Sequence, residues 1–435
     1  MTGRAPAATA TLAAVLALAL AGCPSGEIGT ISLGLATAPG STVMDRVVQL
    51  RVTLTNPRRE LVVDRTERGF DLVLDLDPSD ALNTIVIEGL DTGGALVAAG
   101  MSPPFPLSAI NARIVVYMAV PMSVGVAPAA LAPPRSRAAA GALAYGAILA
   151  GGVDETGAPS AAVQIYNAFD HSLVTGLPLP GPRAGVTPLV AAADRVYLFG
   201  GTAPGGTPTG TLWAFDTTAM PSGRYVVIGD FPQFARTGAA AVPTGPERFL
   251  ITGAPSIELA GSMISEPAGI AAISSGASVT GSDRVTTAVI VDDATGSLIR
   301  IRAAGTPEPL AAQRRRGTAA ALPDARLAVL GGDTAPRDAI IVDAASGEVT
   351  PVSSALADAY DTLVVAATPR FVVAAGTRAG TAATTVEILD AATLAPRHVT
   401  SVDDQITAAI ALPNEQVLLV GAALHLFTPP PPPAP

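Results

Sequence analysis

The chain has 435 residues, a net charge of -10, 14% charged residues and 49% hydrophobic ones, ample length for a sizeable core and two or three domains. All 26 basic residues are arginine, with no basic run longer than Arg314-Arg315-Arg316. This composition argues against nucleic acid or an anionic membrane surface as partner, because both need clustered positive charge.

The chain opens on an export signal. Arg4 is the one charge before Glu27, and residues 7–21 are small and apolar apart from Thr9 and Thr11. That run is the length of a signal core and too short for a spanning helix. It ends in Leu20-Ala21-Gly22-Cys23, which resembles the lipobox of bacterial lipoproteins. The resemblance implies a signal peptide over 1–22, diacylglycerol on the thiol of Cys23, and a tether over 23–28. Cys23 is the sole cysteine, so no intrachain disulfide can form. Pro24 in place of an aspartate points to the outer membrane as the destination of this cell-envelope protein.

Residues 29–121 read as a small all-β module. Val48, Leu50, Val52 and Leu54 fall on one strand face and Gln49, Arg51, Thr53 and Thr55 on the other; Leu72, Leu74 and Leu76 alternate with Asp71, Asp75 and Asp77. Further strands are expected at 30–35, 61–64, 84–89, 95–98 and 113–120, with turns at Asn56-Pro57, Asp77-Pro78 and 91–94. Seven or so short strands in this length predict an antiparallel sandwich similar to immunoglobulin-like modules. Its alternating acidic residues read as a solvated face.

From 122 to 428 one unit recurs. In residues 327–349 a short apolar run stops at Gly331-Gly332, and a second ends at Asp343 before Ala-Ala-Ser-Gly. Aligned on the second glycine, the units place Gly152, Gly201, Gly253, Ser282, Gly332, Gly376 and Gly421 in one column. Third strands then end at Asn167, Asp216, Asp292, Asp343 and Asp390. An arginine often precedes the first strand, and Arg316 aligns with Arg236. Gly151, Gly200 and Gly331 complete the glycine pairs. A period of 40–50 residues with four strands per unit is a propeller signature.

These pieces resemble the Kelch family: Pro182-Arg183 before a first strand, the Gly-Gly pairs, and the Asp-x-x-Thr/Ser-Gly turn. The fourth-strand Trp of that family is missing, and Trp213 lies in a third strand, so the resemblance is to a divergent branch. It implies an all-β fold, an N-terminal antiparallel β-sandwich followed by a Kelch-like β-propeller. Seven blades fit the period, with six plus an insertion at 254–275 as the alternative. The interval between Asp216 and Asp292 is the irregular one; residues 277–291 match 328–342, which places a full blade at 266–304. Closure pairs 406–427 with 123–131, removing exposed sheet edges. The Pro-rich tail, 429–435, is expected to be disordered.

The glycine pairs are not phosphate cradles, because a strand and not a helix follows them. They are expected to supply positive φ and close backbone approach, and Asp216, Asp292, Asp343 and Asp390 to accept hydrogen bonds from their own turns. His171, His398 and His425 lack metal-ligand spacing, and the sole cysteine rules out the Tyr-Cys copper site of Kelch-like galactose oxidase. Sialidase boxes and a G-x-S-x-G elbow are missing as well. No cofactor or metal is expected. The leading reading is a non-catalytic, lipid-anchored scaffold binding a protein partner. A carbohydrate-binding protein remains open if Tyr145, Tyr166, Trp213 or Tyr225 cluster at one face. A hydrolase remains open if two carboxylates converge within about 10 Å in a central pocket. Function should lie where the units differ, in the loops 153–161, 202–210 and 254–275.

Overall fold

A computed structural model describes residues 32–67, 69–70, 72, 79–108, 113–192, 195–216, 223–302 and 305–433. The expected signal segment, Cys23, and nearly all of the expected strand at 71–77 lie outside these residues.

Residues 32–117 form the N-terminal module. Gln49–Thr55 is flanked by Arg58–Asp64 and Ile85–Leu90, and Leu96–Met101 adds the fourth antiparallel strand. The alternation of 48–55 does what its period requires: Leu50, Val52 and Leu54 are buried with Ile85, Ile87 and Ile114. One pairing departs from the antiparallel expectation. Ser32–Ala36 and Arg113–Tyr117, the first and last strands of the module, run parallel.

Among the described residues, seven further four-stranded antiparallel sheets follow in chain order. S1 spans 139–175, S2 187–230, S3 241–265, S4 273–313, S5 318–352 and S6 362–402; S7 joins 408–428 to Ser123–Val126. The first strand of each sheet packs on the first strand of the next, and Ala408–Ala411 of S7 packs on Ala139–Leu143 of S1. The sheets therefore stand in a closed ring with their first strands innermost. In S7 the outermost strand comes from the other end of the repeat region, with Ser123 opposite Thr428 and Val126 opposite His425. Interleaving the two ends leaves no seam in the ring.

None of the seven innermost strands carries a charged residue; they read AAGAL, TPLVAA, AVPTG, ISSGASVT, TAAAL, TLVVAA and AAIA. Small residues suit strands converging on an axis, while larger side chains fill the widening wedges between sheets. Trp213, Phe215 and Leu198 occupy the wedge of S1 and S2, and Tyr197, Phe199 and Phe249 that of S2 and S3.

Two details of register differ from the sequence alignment. In S4 the strand ending at Asp292 is the second, Thr286–Asp292, and Ser297–Arg302 is the third. Residues 277–291 therefore match 328–342 in pattern but sit one strand earlier in their sheet. The Asp turn is a local device that can follow either strand, and S3 is already complete by Ser265, so S4 begins at Ile273 after a crossover. In S6 and S7, Gly376 and Gly421 fall at the place of the first glycine of a pair: Gly376 lies opposite Thr385, as Gly151 is bonded to Ala162.

The expectation of a disordered tail is overturned. Pro429 is buried and Pro430 to Pro432 are half-buried; Arg370 donates Nη2 to the Pro430 carbonyl at 2.7 Å and Nη1 to that of Pro431 at 3.2 Å. A proline run is stiff and leaves its carbonyls unpaired, so docking orders little and satisfies them.

Candidate functional site

Among the described residues, an axial cavity of about 1200 Å³ runs between the innermost strands. Innermost strands supply Ala138 to Ala140, Val364, Val365 and Ala408; its mouth is formed by Thr156 to Pro159 and Thr202 to Gly206. Two of the loops singled out by their variability, 153–161 and 202–210, thus meet at the mouth. Asp154 organises the first: its Oδ1 accepts the backbone N–H groups of Thr156 and Ala158 and the Thr156 hydroxyl at 2.7–3.0 Å. Those bonds hold its carboxyl below the ordinary range. Among the described lining residues Arg137 is the one charged group and there is no carboxylate.

Behind the mouth a Gly-Gly pair closes the second strand of S1, S2 and S5, and Thr252-Gly253 that of S3. Gly151, Gly152, Gly200, Gly201, Gly253, Gly331 and Gly332 all have positive φ. A Cβ on Gly152 would meet the Ser136 carbonyl at 2.6 Å, so both conformation and space require glycine. The aspartates serve their turns. Asp292, Asp343 and Asp390 accept the N–H and hydroxyl of Thr295, Ser346 and Thr393. Asp216 faces Arg224 at 3.8 Å.

A second repeating element escaped the sequence reading. In four sheets a residue leading into the first strand reaches the third-strand residue opposite the position two before the glycine. Arg135 donates Nη1 to Gln164 at 2.8 Å, and its Nε to the Gly151 carbonyl at 2.9 Å. Arg183 lies over the Trp213 ring at 5.0 Å. Tyr360 donates its hydroxyl to Glu387, and Asp404 lies 3.2 Å from His425 Nε2. The glycines make room for these latches: a Cβ on Gly376 would strike the Tyr360 ring, and one on Gly421 the Asp404 carboxylate. The latches differ in chemistry at one place, so no residue motif marks them. Only the strand pairing could have found them.

The arginine column also shifts. Arg137, Gly185, Gly238 and Arg316 share a left-handed backbone, each two residues after Arg135, Arg183, Arg236 and Arg314. Arg314, not Arg316, is therefore the equivalent of Arg236; in the sequence the adjacent arginines concealed the register.

Of the aromatic candidates, Tyr166 and Trp213 are buried and Tyr145 and Tyr225 half-buried. Trp213 and Tyr225 lie 6.5 Å apart, Tyr225 stacks on Phe215 at 4.7 Å, and Tyr145 packs in the same wedge. Tyr225 donates its hydroxyl to the Leu177 carbonyl at 3.2 Å. Tyr166 is fully buried beside His171, 2.6 Å from its Nδ1. They fill wedges and form no exposed platform. The three histidines lie apart in S1, S6 and S7, and among the described residues no group of three His, Cys, Asp or Glu is placed to hold a metal.

Ring, axial cavity and interior glycines define an all-β protein with a β-propeller-like fold behind an N-terminal β-module. No protein-family model matches the chain, and no curated protein matches it. Among solved structures it is similar to a streptogramin B lyase, with a TM-score of 0.48 and 11% identity over 70% of this chain and 96% of that one.

Proposed function

We propose that the chain is a lipid-anchored cell-envelope protein whose ring acts as a seven-bladed, divergent Kelch-like scaffold for a protein partner seated at the axial mouth. The carrying observation is the lining of the cavity: small, uncharged walls beneath two turn-rich loops. Such a recess offers shape, apolar contact and backbone hydrogen-bonding groups, which a protruding protein loop can meet along its length. A small charged substrate would find Arg137 as its one fixed charge there. The lipobox-like Leu20-Ala21-Gly22-Cys23 supports the anchor, and an Ig-like module over 29–121 would then hold the ring away from the outer membrane.

The test places a photoreactive residue at Ala203, in the mouth, and a second at Met263, an exposed residue of the S3 edge. One stoichiometric envelope protein crosslinked from Ala203 and not from Met263 supports the reading; the absence of any protein adduct at Ala203 overturns it. Cys23→Ser should move the protein from the membrane to the soluble fraction, and unchanged membrane retention would remove the anchor from the proposal.

A further inference from the structure

The core of the wedge between S3 and S4 is aliphatic, made of Val242, Leu250, Ile270, Ile273, Ala288, Ile290 and Ile301, where the adjoining S2–S3 wedge holds aromatic rings. The unfilled remainder is a lateral pocket of about 690 Å³, within the range that takes small organic molecules. Its far wall is the crossover over Pro267 to Ile270, with Ile301 and Pro307 of S4. This crossover belongs to the third variable loop, 254–275.

The S3 wall is polar. Glu258 lies on the third strand of S3 opposite Leu250, whose side chain belongs to this wedge. Arg236 donates to the carbonyls of Thr252 and Pro255. Glu258 pairs with Arg248, whose Nε and Nη2 donate to one carboxylate oxygen, Oε1, at 3.2 and 2.7 Å. Both residues line the pocket. So does Thr244, which is 3% exposed and whose hydroxyl is buried without a partner. A buried, unpaired hydroxyl costs about 1–3 kcal/mol, a cost that a ligand group in the pocket would relieve.

We propose that this pocket binds a small uncharged molecule with an apolar body and one edge carrying both a donor and an acceptor, of the carboxamide type. The Arg248–Glu258 pair is neutral as a unit and still presents N–H groups beside the second carboxylate oxygen. Such a pair complements a donor-acceptor edge better than a net charge. The protein's net charge of -10 further disfavours anions. Apolar atoms of the ligand would continue the aliphatic core from Leu250 to Ile301.

The experiment is a calorimetric titration of the purified protein with N-acetyl-L-phenylalaninamide. Saturable one-to-one binding is expected. Thr306→Trp and Ala268→Trp, both at exposed lining positions outside the core, should each weaken it by at least about tenfold, and Glu258→Gln by about tenfold. Arg137→Glu, at the axial mouth, should leave it unchanged, and the anion N-acetyl-L-phenylalanine should bind at least about tenfold more weakly. Absence of saturable binding, binding that survives both tryptophans, or an anion that binds as well as the amide would each overturn the proposal.

Discussion

The Tyr360 hydroxyl donates to Glu387, a carboxylate with no solvent exposure on the third strand of S6. The same side chain accepts the Ala357 backbone N–H at 2.7 Å, so one buried residue ties the segment before S6 to the middle of the sheet. Burial, and then the neighbouring Glu387, drive the Tyr360 phenol well above its ordinary range. Glu387→Ala removes both acceptors and leaves a hydroxyl and an amide unpaired, at a cost of about 3 kcal/mol. Glu387→Gln keeps the shape and one acceptor and should cost about half as much. Urea unfolding monitored by far-UV circular dichroism measures both, and equal costs would deny the carboxylate its part.

Acid should act through His171. The side chain is 2% exposed beside Tyr117 and Tyr166, and its Nε2 is buried without a partner. Burial pulls its pKa down to about 4 against a small opposing pull from Asp170. Above pH 6.5 the ring is neutral in folded and unfolded chains alike, so nothing is lost. Between pH 6.5 and about 4 the unfolded chain binds a proton that the folded one refuses, and stability falls by about 3 kcal/mol across that window. The turn aspartates Asp343 and Asp390, whose pKa values are lowered, act only at more acid pH. His171→Asn tolerates the left-handed backbone at φ 55 and does not titrate. It should be less stable at pH 7 but show a nearly flat stability between pH 6.5 and 4.5. A slope as steep as that of the parent would place the acid response elsewhere.

The left-handed glycines make a graded prediction. Gly380 has φ +77 with nothing within 4 Å of a would-be Cβ, whereas Gly152 has φ +106 and the Ser136 carbonyl at 2.6 Å. Gly380→Ala should cost about 1 kcal/mol, the strain of a left-handed alanine. Gly152→Ala adds a clash with fixed backbone and should cost about 3 kcal/mol or more. Thermal unfolding of the two variants separates conformational strain from crowding at the axis.

What could be read from the residues was the local pattern. Arg326–Leu330 and Ala339–Asp343 form the hairpin that 327–349 spelled out, because alternation and Gly or Asp stops are properties of neighbours in sequence. The phase of S4 was not legible, since Asp292 makes the same turn whether it ends a second or a third strand. Nor were the latches, whose partners lie about 20 to 30 residues apart and share a position but no chemistry. The mouth loops were marked by their differences, while the small-residue lining that gives the cavity its character was dispersed over the innermost strands of five sheets.

The tail offers the last prediction. Pro429 to Pro432 run beside Ala99, Gly100 and Met101 of the N-terminal module, while Arg370, paired with Glu415 at 2.6 Å, holds two of their carbonyls from the ring side. Asn414 Nδ2 adds a bond to the Met101 carbonyl at 3.2 Å. The proline run is thus a strap between ring and module, made of a segment that loses little entropy on docking. Arg370→Gln should destabilise that junction by about 2 kcal/mol, and deletion of 429–435 should do at least as much. Both should speed amide exchange in Leu96–Met101 while leaving Arg326–Leu330 in S5 protected. Arg397→Gln, which breaks an exposed pair with Asp390, is the control and should change little. Unaltered exchange in Leu96–Met101 after deletion would mean that the module holds its place without the strap.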